Sequence, residues 1–386
     1  MSYKLPVFPK ETLPTDYTTA EECERMKNKI ESVLTEWGIG FIDIKATPGP
    51  VVASFEVYPK SDVKLSKVKN ISDDLRLSLG GQGCRVICPI PGKETFGIEL
   101  PNNTQQSINF NAVAGTDEFT NAEMDLPLAL GVTTDGKPLI VDLAKSKHIL
   151  IGGAVGQGKS IVEHTIISSL LCKKTPEDLR LVLIDPKMVE FIAYESLTNY
   201  LATPDSIEEP IVRNVQDAVL TLENLCEVMD NRYEVLKAAG VHNIKEYNQM
   251  VANGKLDPAS HQHMPYIVTI IDEYGDFMLT TGKTFEKPLC KLAQLSSTVG
   301  IHLVISTQRN ASSVVSANIK AYFPSRICCR TTSAHDSRII LNQTGAECLM
   351  GKGDLLYLES DKLIRLQGAF IADTTDISNL CNQILA

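Results

Sequence analysis

Three things are scarce in this chain of 386 residues, and each scarcity removes a class of function. No apolar run approaches the roughly 18 residues that a membrane-spanning helix needs, and no signal-peptide pattern follows Met1. The chain is therefore expected in the cytoplasm. Its 10 cysteines include no C-x-x-C pair; Cys84 and Cys88 are four apart, and Cys328 and Cys329 adjoin inside an apolar run. That spacing offers no zinc framework and fits reduced core thiols. The pair His261 and His263 lies in a polar loop without further ligands nearby. Positive charge is also short, with 37 Lys and Arg against 47 Asp and Glu. A net charge of −10 excludes a protein that coats nucleic acid with its whole surface, but leaves room for a local basic lining. Repeats and low-complexity tails are missing too. With 43% hydrophobic and 22% charged residues, the chain reads as two or three ordinary globular domains.

What is present centres on Lys147 to Leu171. The apolar run His148-Ile149-Leu150-Ile151 has buried-strand character. Gly153-Ala154-Val155-Gly156-Gln157-Gly158-Lys159-Ser160 then satisfies G-x-x-x-x-G-K-[ST]. Apolar residues from Ile161 to Leu171 follow at helical spacing. Strand, glycine loop and helix in that order form a phosphate-binding loop. Glycines let backbone N–H groups turn inward around phosphate oxygens, and the helix start adds a favourable dipole. Lys159 is expected on the β- and γ-phosphates, and the Ser160 hydroxyl on Mg²⁺. The nucleotide-contacting set thus runs from Gly153 to Ile161, with ATP and Mg²⁺ as its ligands.

Downstream strands supply the remaining chemistry. Tyr266 to Ile271 is apolar and ends in Asp272-Glu273. A buried strand delivers Asp272 to the sheet edge beside the phosphate loop as a Mg²⁺ ligand, and places Glu273 as the base that polarises the attacking water. Ile301 to Ser306 ends in Thr307-Gln308, either of which is placed to sense the γ-phosphate. Leu183-Ile184 ends in Asp185-Pro186-Lys187. Asp185 is open to two roles, orienting water near the metal or pairing with Lys187.

The rest of the chain arranges around this centre. Residues 1–18 are Pro-rich and aperiodic, which predicts an extended arm. A helix is expected over Thr19 to Trp37, capped by Thr19, with Cys23, Met26, Ile30, Val33 and Leu34 on one face. Strands are expected over 40–47, 51–58, 84–89 and 96–100, with a second helix over 64–79. These make a small α/β domain, 19–110, carrying no chemical motif of its own. Residues 101–125 read as a polar link. The α/β domain over 111–386 alternates strands and helices, the pattern of a mostly parallel sheet covered on both faces.

The chain resembles the motor region of the FtsK/SpoIIIE family, bacterial double-stranded DNA translocases. The likeness is carried by Gly153 to Ser160, Leu183 to Met188, Arg232-Tyr233, Ala239-Gly240-Val241, Pro265 to Val268 and Ile271-Asp272-Glu273. It continues through Gly300 to Leu303, Ser306 to Arg309, Asp336-Ser337-Arg338 and Gly353 to Leu358. Residues 19–110 resemble the small α domain that precedes the family's RecA-like β domain. The resemblance implies a P-loop ATPase assembled as hexameric rings around duplex DNA, with ATP between subunits and roles in chromosome partition and cell division. It puts Arg309, Lys320 and Arg338 on the DNA path, and Gln308 beside the nucleotide.

The departures carry implications as well. Where the family places an arginine finger before Gly-Ile-His-Leu, this chain has Ser297; Arg326 or Arg330 would have to substitute. Ala334 stands where the family commonly has Lys, and Asn310 where it has Pro. The membrane region and the orientation-reading winged helix of longer members have no counterpart here, so an excised motor and a naturally short paralogue are both open. The alternative to a DNA translocase is a nucleotide-binding ring or assembly module with weak ATPase activity.

Overall fold

A computed structural model describes residues 5–6, 11–14, 17–81, 83–371 and 373–385. The expected arm over 1–18 falls largely outside them. The helix Ala20–Glu36 starts where Thr19 Oγ1 accepts the Glu22 N–H at 3.1 Å, and it buries Met26, Ile30, Val33 and Leu34. These pack on an antiparallel sheet of β1 (Phe41–Thr47), β2 (Val52–Pro59), β3 (Arg85–Ile87) and β4 (Phe96–Pro101), ordered β1-β2-β4-β3. The helix expected over 64–79 is two, Leu65–Asn70 and Ser72–Leu79, because Ile71 leaves helical geometry at φ −106°, ψ 11°.

The stretch expected as a polar link folds instead. β5 (Ile108–Asn109) and the helices Phe110–Ala114 and Asp117–Thr120 bury Phe110, Val113 and Phe119 in the core of the larger domain. The large sheet comprises β6 (Pro127–Thr133), β7 (Pro138–Asp142), β8 (Ile149–Gly152), β9 (Leu179–Ile184), β10 (Tyr266–Ile271), β11 (Ile301–Thr307), β12 (Ser325–Cys329), β13 (Asp354–Glu359) and β14 (Lys362–Phe370). Their order is β7-β6-β14-β13-β12-β8-β11-β10-β9, with β5 beside β14. The run β12-β8-β11-β10-β9 is parallel, as expected; β13, β14, β6 and β7 extend it antiparallel.

Both faces of the parallel part are covered, which is why its strands read as unbroken apolar runs. Leu181, Leu183, Val268 and Ile270 face the layer containing the helix Lys159–Leu171. Val182, Ile184, Ile267 and Ile271 face the layer containing the helices Val215–Ala239 and Lys283–Leu295. The domains meet at Arg365 of β14, which is 1% exposed. It donates to both Asp354 oxygens and, at 2.8 Å, to Glu99 on β4. No helix among the described residues is long and apolar enough to cross a membrane.

Candidate nucleotide site

Sheet register assembles the site. Ile271 pairs with Ile184 on one side and Ile305 on the other, so Asp185, Asp272 and Ser306 leave three adjacent strands at the same edge. Gly152 pairs with Thr307 and with Cys328, which brings Gly153, Gln308 and Cys329 to that edge too. Five segments far apart in sequence thus converge on one line without any loop having to reach.

The phosphate loop needs its glycines. Gly156 and Gly158 sit at φ +70° and +98°, backbone that residues with a Cβ adopt only under strain. Gly158 starts the helix Lys159–Leu171. Ala154 N–H donates to Arg330 O at 2.9 Å, tying the loop to the end of β12. Val155 is 74% exposed at the crest. Gln157, Ser160 and Ile161 are partly exposed along the loop and helix start.

Behind the loop lies a dry charge cluster. Lys159 Nζ donates to Glu273 Oε1 at 3.1 Å, with 4% and 2% of the side chains exposed. Lys187, half-exposed, lies 3.4 Å from the same oxygen. Gln308 N–H donates to Glu273 Oε2 at 3.1 Å. Burial pushes the Glu273 carboxyl up, but the Lys159 charge, the Gln308 N–H and Lys187 together hold it below the usual range. Asp272 goes the other way. Burial raises it to about 6, although Ser306 Oγ donates to its Oδ1 at 2.8 Å. Ser306 Oγ also accepts the Glu273 N–H at 3.2 Å, so one hydroxyl positions both acids. Glu273 itself sits at φ +49°, a left-handed conformation that this side chain adopts under strain.

A hydroxyl at Ser160 and a carboxylate at Asp272 are hard oxygen donors of the kind Mg²⁺ takes. Asp272, buried and disfavoured as an anion, is the group a cation would relieve. No cluster of three or more His, Cys, Asp or Glu among the described residues forms an all-protein metal cage.

Several expected roles are redistributed. Asp185 is buried, and its two oxygens accept the backbone N–H groups of Lys187, Met188, Val189, Glu190 and Phe191. It fixes the loop that carries Lys187. Thr307 is fully buried with its hydroxyl accepting the Arg309 N–H, so of the two candidate sensors only Gln308 faces the cleft. Arg326 is withdrawn as a finger, since its guanidinium donates to the carbonyls of Phe323, Ile340 and Lys320 inside the fold. Arg309 pairs with Asp276 at 2.8 Å. Lys320 donates to Asn342 at 3.0 Å, one turn from the exposed Arg338, and Arg338 makes no ion pair with Asp336. Lys320 and Arg338 therefore share a surface, while Arg309 stands apart beside the Glu273 loop.

Two hollows flank the loop. One, of about 590 Å³, is lined by Ala154, Val155, Gln157, Gln308, Asn310 and Arg330 among others. The second, of about 370 Å³, has mainly apolar walls that include Ile161, Val162, Ile327, Cys329 and Leu355. Sequence reasoning missed this second hollow and missed Glu163. That side chain is fully buried with neither oxygen hydrogen-bonded, and burial beside Asp272 holds its carboxyl well above the usual range.

Comparisons with known proteins agree with this fold. The FtsK/SpoIIIE family profile matches residues 110–312, and the FtsK alpha domain profile matches residues 8–102. DNA translocase SftA of Bacillus subtilis (strain 168) is 38% identical over 352 residues, covering 91% of this chain and 36% of that protein. DNA translocase FtsK of Pseudomonas aeruginosa is 37% identical over 372 residues, covering 92% of this chain and 45% of that protein. The chain thus spans less than half the length of these two relatives. Among solved structures, the conjugation coupling protein TcpA of pCW3, in monomer form with ATPgS, aligns with a TM-score of 0.63 at 23% identity, covering 94% of this chain and 99% of that one. The cytoplasmic domain of the type VII secretion ATPase EccC of Thermomonospora curvata aligns at 0.60 and 22% identity, over 72% of this chain and 34% of that one. These two share the fold of this chain.

Proposed function

This chain belongs to the FtsK/SpoIIIE family, and on that footing we propose that it is the ATP-hydrolysing motor of a cytoplasmic double-stranded DNA translocase working as a ring of subunits. The observation that carries the ATPase reading is the convergence of Lys159, Asp272, Glu273 and Gln308 on one edge of the parallel sheet. The phosphates of ATP lie along Gly153 to Ser160, with Lys159 on the β- and γ-phosphates. The nucleoside takes the apolar hollow beside Ile161.

Ser160 and Asp272 hold Mg²⁺, which when bound neutralises charge on the phosphate oxygens. Glu273 accepts a proton from the attacking water. The new bond forms between that water's oxygen and the γ-phosphorus, the bond to the β-phosphate oxygen breaks, and ADP leaves. Gln308, whose backbone already holds Glu273, transmits the presence or loss of the γ-phosphate to Arg309 next in sequence. Arg309, Lys320 and Arg338 grip DNA phosphates, an interaction indifferent to sequence and sensitive to salt.

The test is steady-state ATP hydrolysis with and without linear duplex DNA across a salt series. Stimulation by DNA that fades with salt is the expected result. Nucleotide binding with negligible turnover under every condition would move the reading to an assembly module.

A further inference from the structure

We infer that Arg330 is a catalytic residue acting in cis, its guanidinium donating to the γ-phosphate oxygens of the nucleotide bound at its own subunit's phosphate loop. This rests on the ATP-hydrolysis reading above and adds a residue to it. β12 runs parallel to β8 with Gly152 opposite Cys328, so Arg330 leaves the sheet directly beside the loop, where its carbonyl accepts the Ala154 N–H. Its side chain runs past Gly351 next to Gln157: a Cβ on Gly351 would lie 4.0 Å from Arg330 Cδ and 2.6 Å from Gln157 Oε1. It thereby lines the 590 Å³ cleft together with Ala154, Gln157 and Gln308.

Four neighbouring cations are committed elsewhere. Lys159 and Lys187 face Glu273, Arg326 is spent on three carbonyls, and Arg309 holds Asp276. Arg330 alone of this group makes no ion pair or side-chain hydrogen bond among the described residues. The two acids lining the same cleft do not hold it. Asp336 accepts from Thr332 at 2.6 Å and Glu347 accepts the Gly345 N–H at 2.8 Å. A partly exposed guanidinium with no acceptor, opening on a phosphate loop, is the fork that phosphate oxygens fit.

Geometry also separates Arg330 from Ser297. Ser297 lies in the turn Ser296–Val299 just before β11 begins, at the opposite sheet edge from the phosphate loop. A group there reaches a nucleotide only on a neighbouring subunit. During hydrolysis Arg330 forms and breaks no covalent bond. It offsets charge on the γ-phosphate as the bond to ADP breaks and Glu273 takes the water's proton.

Arg330→Ala and Arg330→Lys are compared with the parent chain for turnover, for ADP binding and for binding of ADP with aluminium fluoride, a mimic of the transferring phosphoryl group. In Arg330→Ala, kcat is expected to fall by about 10³-fold. ADP affinity should stay within about threefold while the tighter binding of the fluoride complex is lost. The lysine variant should recover part of both. Mixing Arg330→Ala with Glu273→Gln subunits distinguishes cis from trans action. No recovery of turnover is expected, whereas recovery would show a neighbour's Arg330 completing the site and overturn the proposal. Unchanged kcat in a parent that hydrolyses ATP overturns this inference alone. Absence of turnover in the parent overturns both it and the ATPase reading.

Discussion

Lys159 Nζ and Glu273 Oε1 stand 3.1 Å apart in a pocket that water scarcely reaches. The residue proposed for phosphate and the residue proposed for the attacking water therefore hold each other. On the proposed reading, ATP phosphates that draw Lys159 away would free the base by the same movement. The pair would then act as a gate, with Lys187 on the same oxygen as a second counter-charge.

Glu273→Gln should consequently bind ATP more tightly as well as stop turnover. Neutralising residue 273 releases Lys159 to the phosphates, and an improvement in Kd on the order of tenfold would correspond to about 1.4 kcal/mol of relieved competition. Calorimetric titration with a slowly hydrolysed analogue measures it. Weaker binding by the variant, or turnover at the parent rate, would remove Glu273 from its assigned role.

Glu163 makes a prediction about pH. In the unfolded chain its carboxyl ionises near 4.5, while in the fold burial and the nearby Asp272 keep the proton on to much higher pH. The folded state thus binds more protons than the unfolded state above pH 4.5, and the stability contributed by this site falls as pH rises from there. Glu163→Gln removes that dependence. The variant should resist urea better than the parent at pH 8, with the gap closing as pH approaches 5 at up to about 1.4 kcal/mol per unit. A gap that stays constant between pH 5 and 8 would mean the carboxyl does not titrate as assigned.

The strand ends that carry chemistry were legible because a parallel strand buried on both faces is a continuous apolar run with an abrupt polar stop. His148 to Ile151, Tyr266 to Ile271 and Ile301 to Ser306 all show it. Partners were not legible. Lys159 and Glu273 are 114 residues apart, and nothing local in Asp185 announces that it will cap the loop behind it. Glu163 escaped for a different reason. The helix Lys159–Leu171 is buried nearly all round, Glu163, His164, Thr165, Ser168 and Ser169 included, so an amphipathic reading that assigns polar residues to solvent fails there. Of the antiparallel flank, β13 and β14 read as strands, whereas β6 and β7 were hidden because they are short and joined by a tight turn, with a bulge between Ala129 and Gly131.

Arg365 joins the two domains through a buried ion cluster, and removing it should be costly. It donates to Asp354 at 2.9 and 2.7 Å, to Glu99 at 2.8 Å and to the carbonyl of Gly83 at 3.3 Å. Arg365→Met leaves Asp354 buried without a counter-charge and Glu99 with Arg85 alone, at 3.9 Å, a loss of about 3–5 kcal/mol. Glu99→Gln keeps the Asp354 pairing and should lose less. Urea unfolding of both variants checks the ranking; a loss under about 1 kcal/mol for Arg365→Met would mean that the cluster adds nothing beyond its shape.

The proposed DNA path connects to the proposed base through two adjacent loops. Gln308 N–H holds Glu273, and Arg309, the next residue, holds Asp276, three residues beyond Glu273. A DNA phosphate that draws Arg309 from Asp276 therefore pulls on both segments that position the base. Each cation taken off the phosphates should lower the slope of log affinity against log salt by about 0.9, so Arg309→Ala with Lys320→Ala should lower it by about 1.8. Fluorescence anisotropy with a short duplex across a salt series reads this directly, and an unchanged slope would take both residues off the DNA path. Asp276→Asn weakens the grip on Arg309 from the other side. Its ATP hydrolysis without DNA should rise toward the DNA-stimulated level of the parent, because the ion pair that DNA must break is already loosened. If Asp276→Asn instead turns over at the parent's basal rate and responds to DNA in full, the Arg309–Asp276 pair does not couple DNA to Glu273.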